Sequence, residues 1–324
     1  LKRILITGAT GFLGNHLLDA FADQQFRISV LCRKPPDKNF QRAGITYIKG
    51  DIEDPYSLSV AFKEADVVIH AAALVSVRPE DNDRMHSVNV LGTRNVVNAI
   101  LASDVKRLIY VSSIAAIGGV HNSGKIMDEA AAWNGSSEGY GFTKYCAELE
   151  VFRADAEGIE VDIINPSVII APPGSNRTSG LLMKLALSRV PFAPDGIVNL
   201  IDARDVALFI RVMLGRDGSG KRYILNGFTL TWKEFFGEVS RRTGKAVRYL
   251  TIPTPIALGL TAIQEFMFFI IFRRPLITRL AVKMATSANR YSTEKATGEA
   301  GFQFRSAENT LDWICTHSGN FNRA

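Results

Sequence analysis

The chain has 324 residues, of which 47% are hydrophobic and 22% charged, with a formal net charge of +6. This balance excludes a disordered polymer, and the length suits one large α/β domain with a smaller attached lobe. The basic residues are dispersed rather than gathered in a stripe, so nucleic-acid binding is not expected. Cys32, Cys146 and Cys315 stand far apart, with no C-x-x-C pair and no histidine spacing that suggests zinc, so neither a disulfide nor a metal is expected. With no secretory leader ahead of the first strand, a cytoplasmic setting with reduced thiols is expected.

The apolar run from Ile4 to Ile6 predicts a short buried strand, and Phe12, Leu13, Leu17, Leu18 and Phe21 mark one face of a following helix. Between them, Thr7-Gly8-Ala9-Thr10-Gly11-Phe12-Leu13-Gly14 is spaced G-x-x-G-x-x-G, one residue wider at the front than the common dinucleotide fingerprint. Such a turn points backbone N–H groups and the positive end of the helix dipole at one spot, which suits a phosphate. Gly8, Gly11 and Gly14 fit a tight turn, close approach to a pyrophosphate and close packing of helix on strand. A purely structural turn also uses glycine, so the triplet is weighed with the rest of the chain.

Arg27 to Cys32 reads as a second strand that ends in Arg33-Lys34, and Ile45 to Asp51 as a third. Pro55 to Ala65 is helical, with proline near the start where its missing N–H does no harm. Asp66 to Ala73 is an unbroken apolar run of the kind buried on both faces of a parallel sheet. A long helix from about Asn82 to Ser103 and a strand from Arg107 to Ser112 follow. This alternation predicts the α/β class, a Rossmann-type doubly wound parallel sheet with ligands at the carboxyl ends of its strands. Gly118 to Gly139 reads as a loop over the active site, Tyr140 to Glu157 as helix and Glu160 to Ile170 as one strand. The dinucleotide domain is expected over 1–174, with 197–227 returning to it. Residues 175–196 and 228–324 are expected to form a smaller, mostly helical substrate lobe.

Tyr140 and Lys144 are one helical turn apart and share a face. A free phenol has a pKa near 10, and a nearby ammonium lowers it, so Lys144 is expected to tune Tyr140. Ser113 closes a central strand on the same edge as the glycine turn, where its hydroxyl can hold the reacting oxygen. The plain alternatives are a solvated tyrosine and lysine, and serines that only cap a strand end.

In this order the segments Thr7 to Gly14, Gly50-Asp51-Ile52, His70-Ala71-Ala72-Ala73, Val88 to Thr93, Ser112-Ser113, Tyr140 with Lys144, and Asn165-Pro166-Ser167 resemble an extended short-chain dehydrogenase/reductase over nearly the whole chain. The resemblance implies Ser113, Tyr140 and Lys144 as a catalytic trio, with Lys144 also holding the nicotinamide ribose and Asn89 supporting the helix and water structure behind it. It further implies that Gly8, Thr10, Gly11, Phe12, Leu13 and Gly14 cradle the pyrophosphate and that Asp51 and Ile52 meet the adenine. Ala71, Ala72 and Ala73 would line the ribose and pyrophosphate, and Pro166, Ser167 and Val168 would abut the nicotinamide. A homodimer through the helices near 82–103 and 140–157 is implied in the same way.

NAD-preferring enzymes usually place an acidic side chain after the second strand to bind the ribose 2′-OH. This chain has Arg33 and Lys34 there, which would attract a 2′-phosphate, so NADP(H) is the expected cofactor and NAD(H) the alternative. A solvated basic turn is the bland reading. Ser113-Ile114-Ala115-Ala116 lacks the carboxylates of the sugar dehydratases, and the segments 165–174 and 195–207 are closer to the dihydroflavonol reductase and 3β-hydroxysteroid dehydrogenase branch. Asp205 is expected to cap a helix rather than act as an acid.

Ile256 to Phe272 is hydrophobic almost all round and is followed by Arg273-Arg274. It is read as a pocket wall or subunit contact, with peripheral membrane contact and a true span as alternatives. His121, in the loop, either faces substrate or is solvated. The expected function is an NADP(H)-dependent oxidoreductase that interconverts a carbonyl and an alcohol on a hydrophobic, cyclic small molecule, with Tyr140 as general acid/base. The rivals are a nucleotide-sugar epimerase and a non-catalytic NADPH-binding regulator.

Overall fold

The computed structural model describes residues 1–23, 25–37, 41–118, 126–172, 192–218, 221–244 and 285–317, together with 182, 186, 250–251, 255–256, 259, 261 and 282. The first half runs β1 (Arg3–Thr7), α1 (Phe12–Ala20), β2 (Arg27–Cys32), β3 (Ile45–Lys49), α2 (Pro55–Ala61), β4 (Val67–His70), α3 (Asn82–Met85), α4 (Gly92–Leu101) and β5 (Arg107–Val111). It continues with β6 (Ile126–Met127), α5 (Gly139–Ala156), β7 (Glu160–Pro166), β8 (Val168–Ile170), β9 (Phe192–Ala193), β10 (Ile197–Asp202), α6 (Ala203–Leu214) and β11 (Lys221–Leu225). The last described elements are β12 (Phe228–Thr231), α7 (Trp232–Thr243), β13 (Leu250–Thr251), β14 (Arg290–Tyr291) and α8 (Ala307–Thr316).

Seven strands pair in the order β11-β7-β5-β4-β1-β2-β3, all parallel, giving the expected Rossmann-type α/β fold. The order reverses between β1 and β4, which opens a crevice at the carboxyl edge there. The sheet is buried on both faces because its central strands are apolar runs: every residue of β4 and β5 is buried. One face packs α1 and α6 through Leu17, Leu18, Phe209, Ile210 and Met213. The other packs α2, α4 and α5 through Leu58, Val96, Val97, Ala147 and Val151.

The expected single strand over 160–170 is two. β7 ends at Pro166, the chain turns at Ser167, whose N–H donates to Leu225 O at 2.8 Å, and β8 joins a separate sheet of order β12-β10-β8. Pro166 has no N–H to donate to a further rung of the ladder. This small sheet packs with α7 and α8 around Phe235, Phe236, Val239, Leu311 and Ile314, so the lobe carries a sheet as well as helices. Ala296, Ala300 and Phe302 join the first core, where the Phe302 ring meets Phe209 at 5.2 Å.

The helix expected over 82–103 is interrupted by a π-helical segment, His86–Leu91, between α3 and α4. The Thr93 hydroxyl, at the start of α4, donates to Asn89 O of this stretch at 2.6 Å, competing for a carbonyl of the helical ladder. Asp202, not Asp205, caps α6, accepting from Arg204 N at 2.8 Å. Asp205 is buried and accepts instead from the backbone N–H of Arg305 at 2.8 Å and from its guanidinium. No helix among the described residues is long and apolar enough to cross a membrane. The stretch Ile256 to Phe272 lies outside the described residues apart from Ile256, Gly259 and Thr261, and His121 lies outside them too.

Candidate active site

All seven strands of the main sheet point the same way, so the segments that follow β1, β4, β5 and β7 meet at one edge. After β1, Gly8 takes a φ of 76°, and Gly11 N–H donates to Gly8 O at 2.8 Å to close the turn. A Cβ on Gly8 would lie 2.5 Å from Ala72 N, and one on Gly14 would lie 2.3 Å from Ala9 O. The turn after β1 and the Ala71-Ala72 segment after β4 therefore close on each other with no room for a side chain. Gly11 caps α1 without a side-chain bond, and Phe12 and Leu13 are the first helical residues. Thr10 is exposed on this turn. These features fit the pyrophosphate of a dinucleotide, which needs backbone access and unshielded N–H groups.

Beyond β2, Arg33 and Lys34 are exposed. Beyond β3, Asp51 accepts from Glu53 N at 3.1 Å, and Ile52 is buried against the core of the α2 and α4 face. Beyond β4, Ala71 and Ala72 are half-buried and Ala73 is exposed. Asn89 is 1% exposed and its carboxamide is used internally. It accepts from Leu74 N at 2.8 Å and donates to Leu74 O at 2.9 Å and Thr143 Oγ1 at 3.0 Å. It thus straps the loop after β4 to α5 by direct bonds. Pro166, Ser167 and Val168 form the passage from the main sheet to the small one, with Val168 exposed.

Ser113, Tyr140 and Lys144 come together beyond β5. Ser113 Oγ accepts from Ala115 N at 3.1 Å, capping the turn Ile114–Ala116, and its hydroxyl is placed to favour the Tyr140 phenolate. Tyr140 is the second residue of α5 and is half-buried. Lys144 is 1% exposed; its Nζ donates to Val111 O at 2.8 Å and sits 4.2 Å from the centroid of the Tyr110 ring.

The expected lowering of the Tyr140 pKa by Lys144 is not found in the chain by itself. Burial pushes the phenol up to about 12, and the bond from Ser113 opposes this only in part. Burial also pushes Lys144 down to about 7, against the pull of Glu148. Removing either charge from water costs more here than the pair recovers, so the phenol stays protonated at neutral pH.

Further side chains form a layer behind the trio, centred on His70 and Glu148. His70 Nδ1 is 2.7 Å from Thr7 Oγ1, and its Nε2 is 3.0 Å from Thr93 Oγ1. Burial, and secondarily the Lys144 charge, hold its pKa at about 3, so it is a neutral spacer. Glu148, wholly buried, accepts from the Ser112 hydroxyl and from Asn165 Nδ2 at 2.6 Å, and lies 2.6 Å from the Arg222 guanidinium. Sequence reading passed over Glu148, although it follows Lys144 at the same four-residue step that separates Lys144 from Tyr140.

A crevice of about 200 Å³ opens beside the start of α5, lined by Val77, Arg78, Pro79, Met85, Glu138 and Gly139. A larger one, about 610 Å³, lies between the amino ends of β1, β2 and β3, away from the glycine turn. Among the described residues no group of three or more His, Cys, Asp or Glu could hold a metal ion.

The family model for the NAD dependent epimerase/dehydratase family matches residues 4–225, which span the main sheet from β1 to β11. The chain belongs to that family. It is an NAD(P)-dependent oxidoreductase of the extended short-chain dehydrogenase/reductase type. It is 29% identical to a putative dihydroflavonol 4-reductase of Synechocystis sp., over 96% of this chain and 94% of that one. It is 27% identical to a decarboxylating sterol-4-alpha-carboxylate 3-dehydrogenase of Candida albicans, over 97% of this chain and 98% of that one. The structure of Thermus thermophilus UDP-glucose 4-epimerase in complex with NAD is similar in fold, with a TM-score of 0.77 at 20% identity, covering 98% of this chain and 99% of that one.

Proposed function

We propose that this enzyme is an NADP(H)-dependent reductase of a carbonyl on a hydrophobic, cyclic small molecule, with Tyr140 as the general acid. The observation that carries the reading is the close packing of the start of α5 on the turn that follows Ser113, where a Cβ on Gly141 would lie 2.6 Å from Ala115 O and Lys144 Nζ donates to Val111 O at 2.8 Å, with burial holding the Tyr140 phenol protonated. A protonated phenol is the form that gives a proton to a carbonyl oxygen as that oxygen gains charge. When bound, a reduced nicotinamide dinucleotide supplies the hydride. Ser113 Oγ accepts from Ala115 N, which fixes the hydroxyl at the site, and its proton, directed toward the phenol in the chain by itself, would turn to the reacting oxygen. Lys144, the wholly buried member of the trio, favours the phenolate that Tyr140 becomes only while it is itself charged.

The cofactor preference rests on Arg33 and Lys34, both exposed past β2 where a 2′-phosphate would be drawn. The substrate class rests on the named substrates of two relatives, a dihydroflavonol reductase and a sterol-carboxylate dehydrogenase, and on Val77, Pro79 and Met85 in the crevice beside Gly139. The test follows NADPH absorbance with a panel of cyclic ketones. Net consumption by the wild type, reduced at least about a hundredfold in Tyr140→Phe with NADPH binding kept, is the expected result. Retained turnover in Tyr140→Phe overturns the role of Tyr140. No net consumption, with interconversion of UDP-sugars, overturns the reductase in favour of an epimerase.

A further inference from the structure

Behind the carboxyl edge of the sheet, buried polar side chains stand in a row: Thr7 of β1, His70 of β4, Thr93 of α4, Asn89 of the π-helical segment and Thr143 of α5. A hydroxyl has one proton to give, so the donors along the row can be assigned in turn. Thr93 Oγ1 lies 2.6 Å from Asn89 O, and a carbonyl only accepts, so the threonine proton is spent there. The contact of 3.0 Å between Thr93 Oγ1 and His70 Nε2 then takes its proton from the ring. His70 carries its hydrogen on Nε2.

Burial keeps the ring neutral, so Nδ1 is left with a lone pair, and the Thr7 hydroxyl donates to it across 2.7 Å. The same Thr7 oxygen accepts from Ala72 N–H at 3.3 Å, while Thr7 O accepts from Ala71 N–H at 3.2 Å. These bonds hold the segment after β4 where it closes on Gly8. At the other end, Leu74 N–H fixes the oxygen of the Asn89 carboxamide, which turns Nδ2 to Thr143 Oγ1 at 3.0 Å. Thr143 gives its own proton to Tyr140 O at 2.8 Å. The donors all run one way, from Ala72 over the glycine turn to the first turn of α5.

We propose that His70, as the Nε2–H tautomer, is a positioning residue that ties the segment closing on the glycine turn to the helical turn that carries Tyr140. The opposite tautomer would set the Nε2 lone pair against a Thr93 oxygen whose proton is already given to Asn89, and the row would break at its middle. This inference rests on the reading of that edge as the dinucleotide and Tyr140 site. Its test uses no turnover.

The test is nitrogen NMR of histidine-labelled protein at neutral pH, with the His70 ring identified by its loss in His70→Asn. One ring form with the proton on Nε2 is expected; a proton on Nδ1, or a mixture of the two forms, overturns the proposal. Saturating NADPH, or NADH should that bind more tightly, is expected to shift both ring nitrogens while the tautomer holds, although His70 is 0% exposed. Ring signals that stay in place at saturation overturn the tie to the glycine turn. Thr93→Val removes the acceptor of Nε2–H at nearly equal size, and dinucleotide affinity is expected to fall by about fivefold, near the worth of one hydrogen bond. Thr93→Ser, which keeps the hydroxyl, is expected to recover most of that loss. Affinity in Thr93→Val equal to wild type overturns the proposal. Should Thr93→Val fail to fold, the tautomer and the ring shifts of the wild type decide by themselves. Tighter binding of NADH would overturn the NADP(H) preference, and retained turnover in Tyr140→Phe the proposed acid; both are read separately from the His70 ring.

Discussion

Gly8 and Ala72, on neighbouring central strand ends, are packed so closely that a Cβ on the glycine would sit 2.5 Å from the alanine nitrogen. Gly8 also holds a φ of 76°, a region that costs a residue with a side chain about 1 kcal/mol or more. Gly8→Ala is therefore expected to push the turn away from the segment after β4. The predicted outcome is a melting temperature lower by several degrees and at least about tenfold weaker binding of NADPH, read by titration calorimetry. An unchanged affinity would show that the turn does not hold the dinucleotide.

The exposed pair Arg33 and Lys34 sets up a charge test. Arg33→Asp removes a guanidinium that can fork onto a phosphate and installs a carboxylate that repels it. NADPH affinity is expected to fall by roughly tenfold or more, while NADH affinity holds or rises. The two titrations run side by side give the answer, and an unaltered ratio would assign the cofactor preference elsewhere.

His70 predicts an acid-side loss of stability. Its folded pKa is about 3 against an ordinary value of 6.5, so between these values the unfolded chain binds the extra proton. Stability then falls as pH drops through that window, by about 2 kcal/mol from pH 7 to pH 5 for this residue alone. Urea unfolding at the two pH values should show this difference in the wild type and a smaller one in His70→Asn. Equal differences in both would place the acid sensitivity in other groups.

Asn89 makes three bonds to the Leu74 backbone and Thr143. Asn89→Ala leaves a peptide N–H and C=O without those partners, at a cost of about 2–3 kcal/mol. Amide exchange should speed up at Leu74 and its neighbours before any change reaches β5. Protection of Leu74 equal to wild type would mean that other contacts hold the loop.

The strand and helix pattern as far as β5 was legible because apolar runs alternate with 3.6-residue periodicity, and both signals are local. The glycine turn, Ser113, Tyr140 and Lys144 were legible for the same reason, since spacing along one strand or one helix fixes which side chains share an edge or a face. The break at Ser167 was not, because Pro166 and Val168 are both acceptable in a strand and the second sheet is chosen by the pairing of β8 with β10, residues about thirty apart in sequence. The exchange of the cap between Asp205 and Asp202 depended on Arg305, a hundred residues away.

The sequence by itself determined the Rossmann-type order of elements and the identity of the groups at the carboxyl edge, because these follow from local periodicity and turn chemistry. Only the tertiary structure decided the direction in which the Tyr140, Lys144 and His70 pKa values move, because burial outweighs the charge of any one neighbour. It alone placed Glu148 against Ser112, Asn165 and Arg222, which the chain supplies from three strands far apart in sequence.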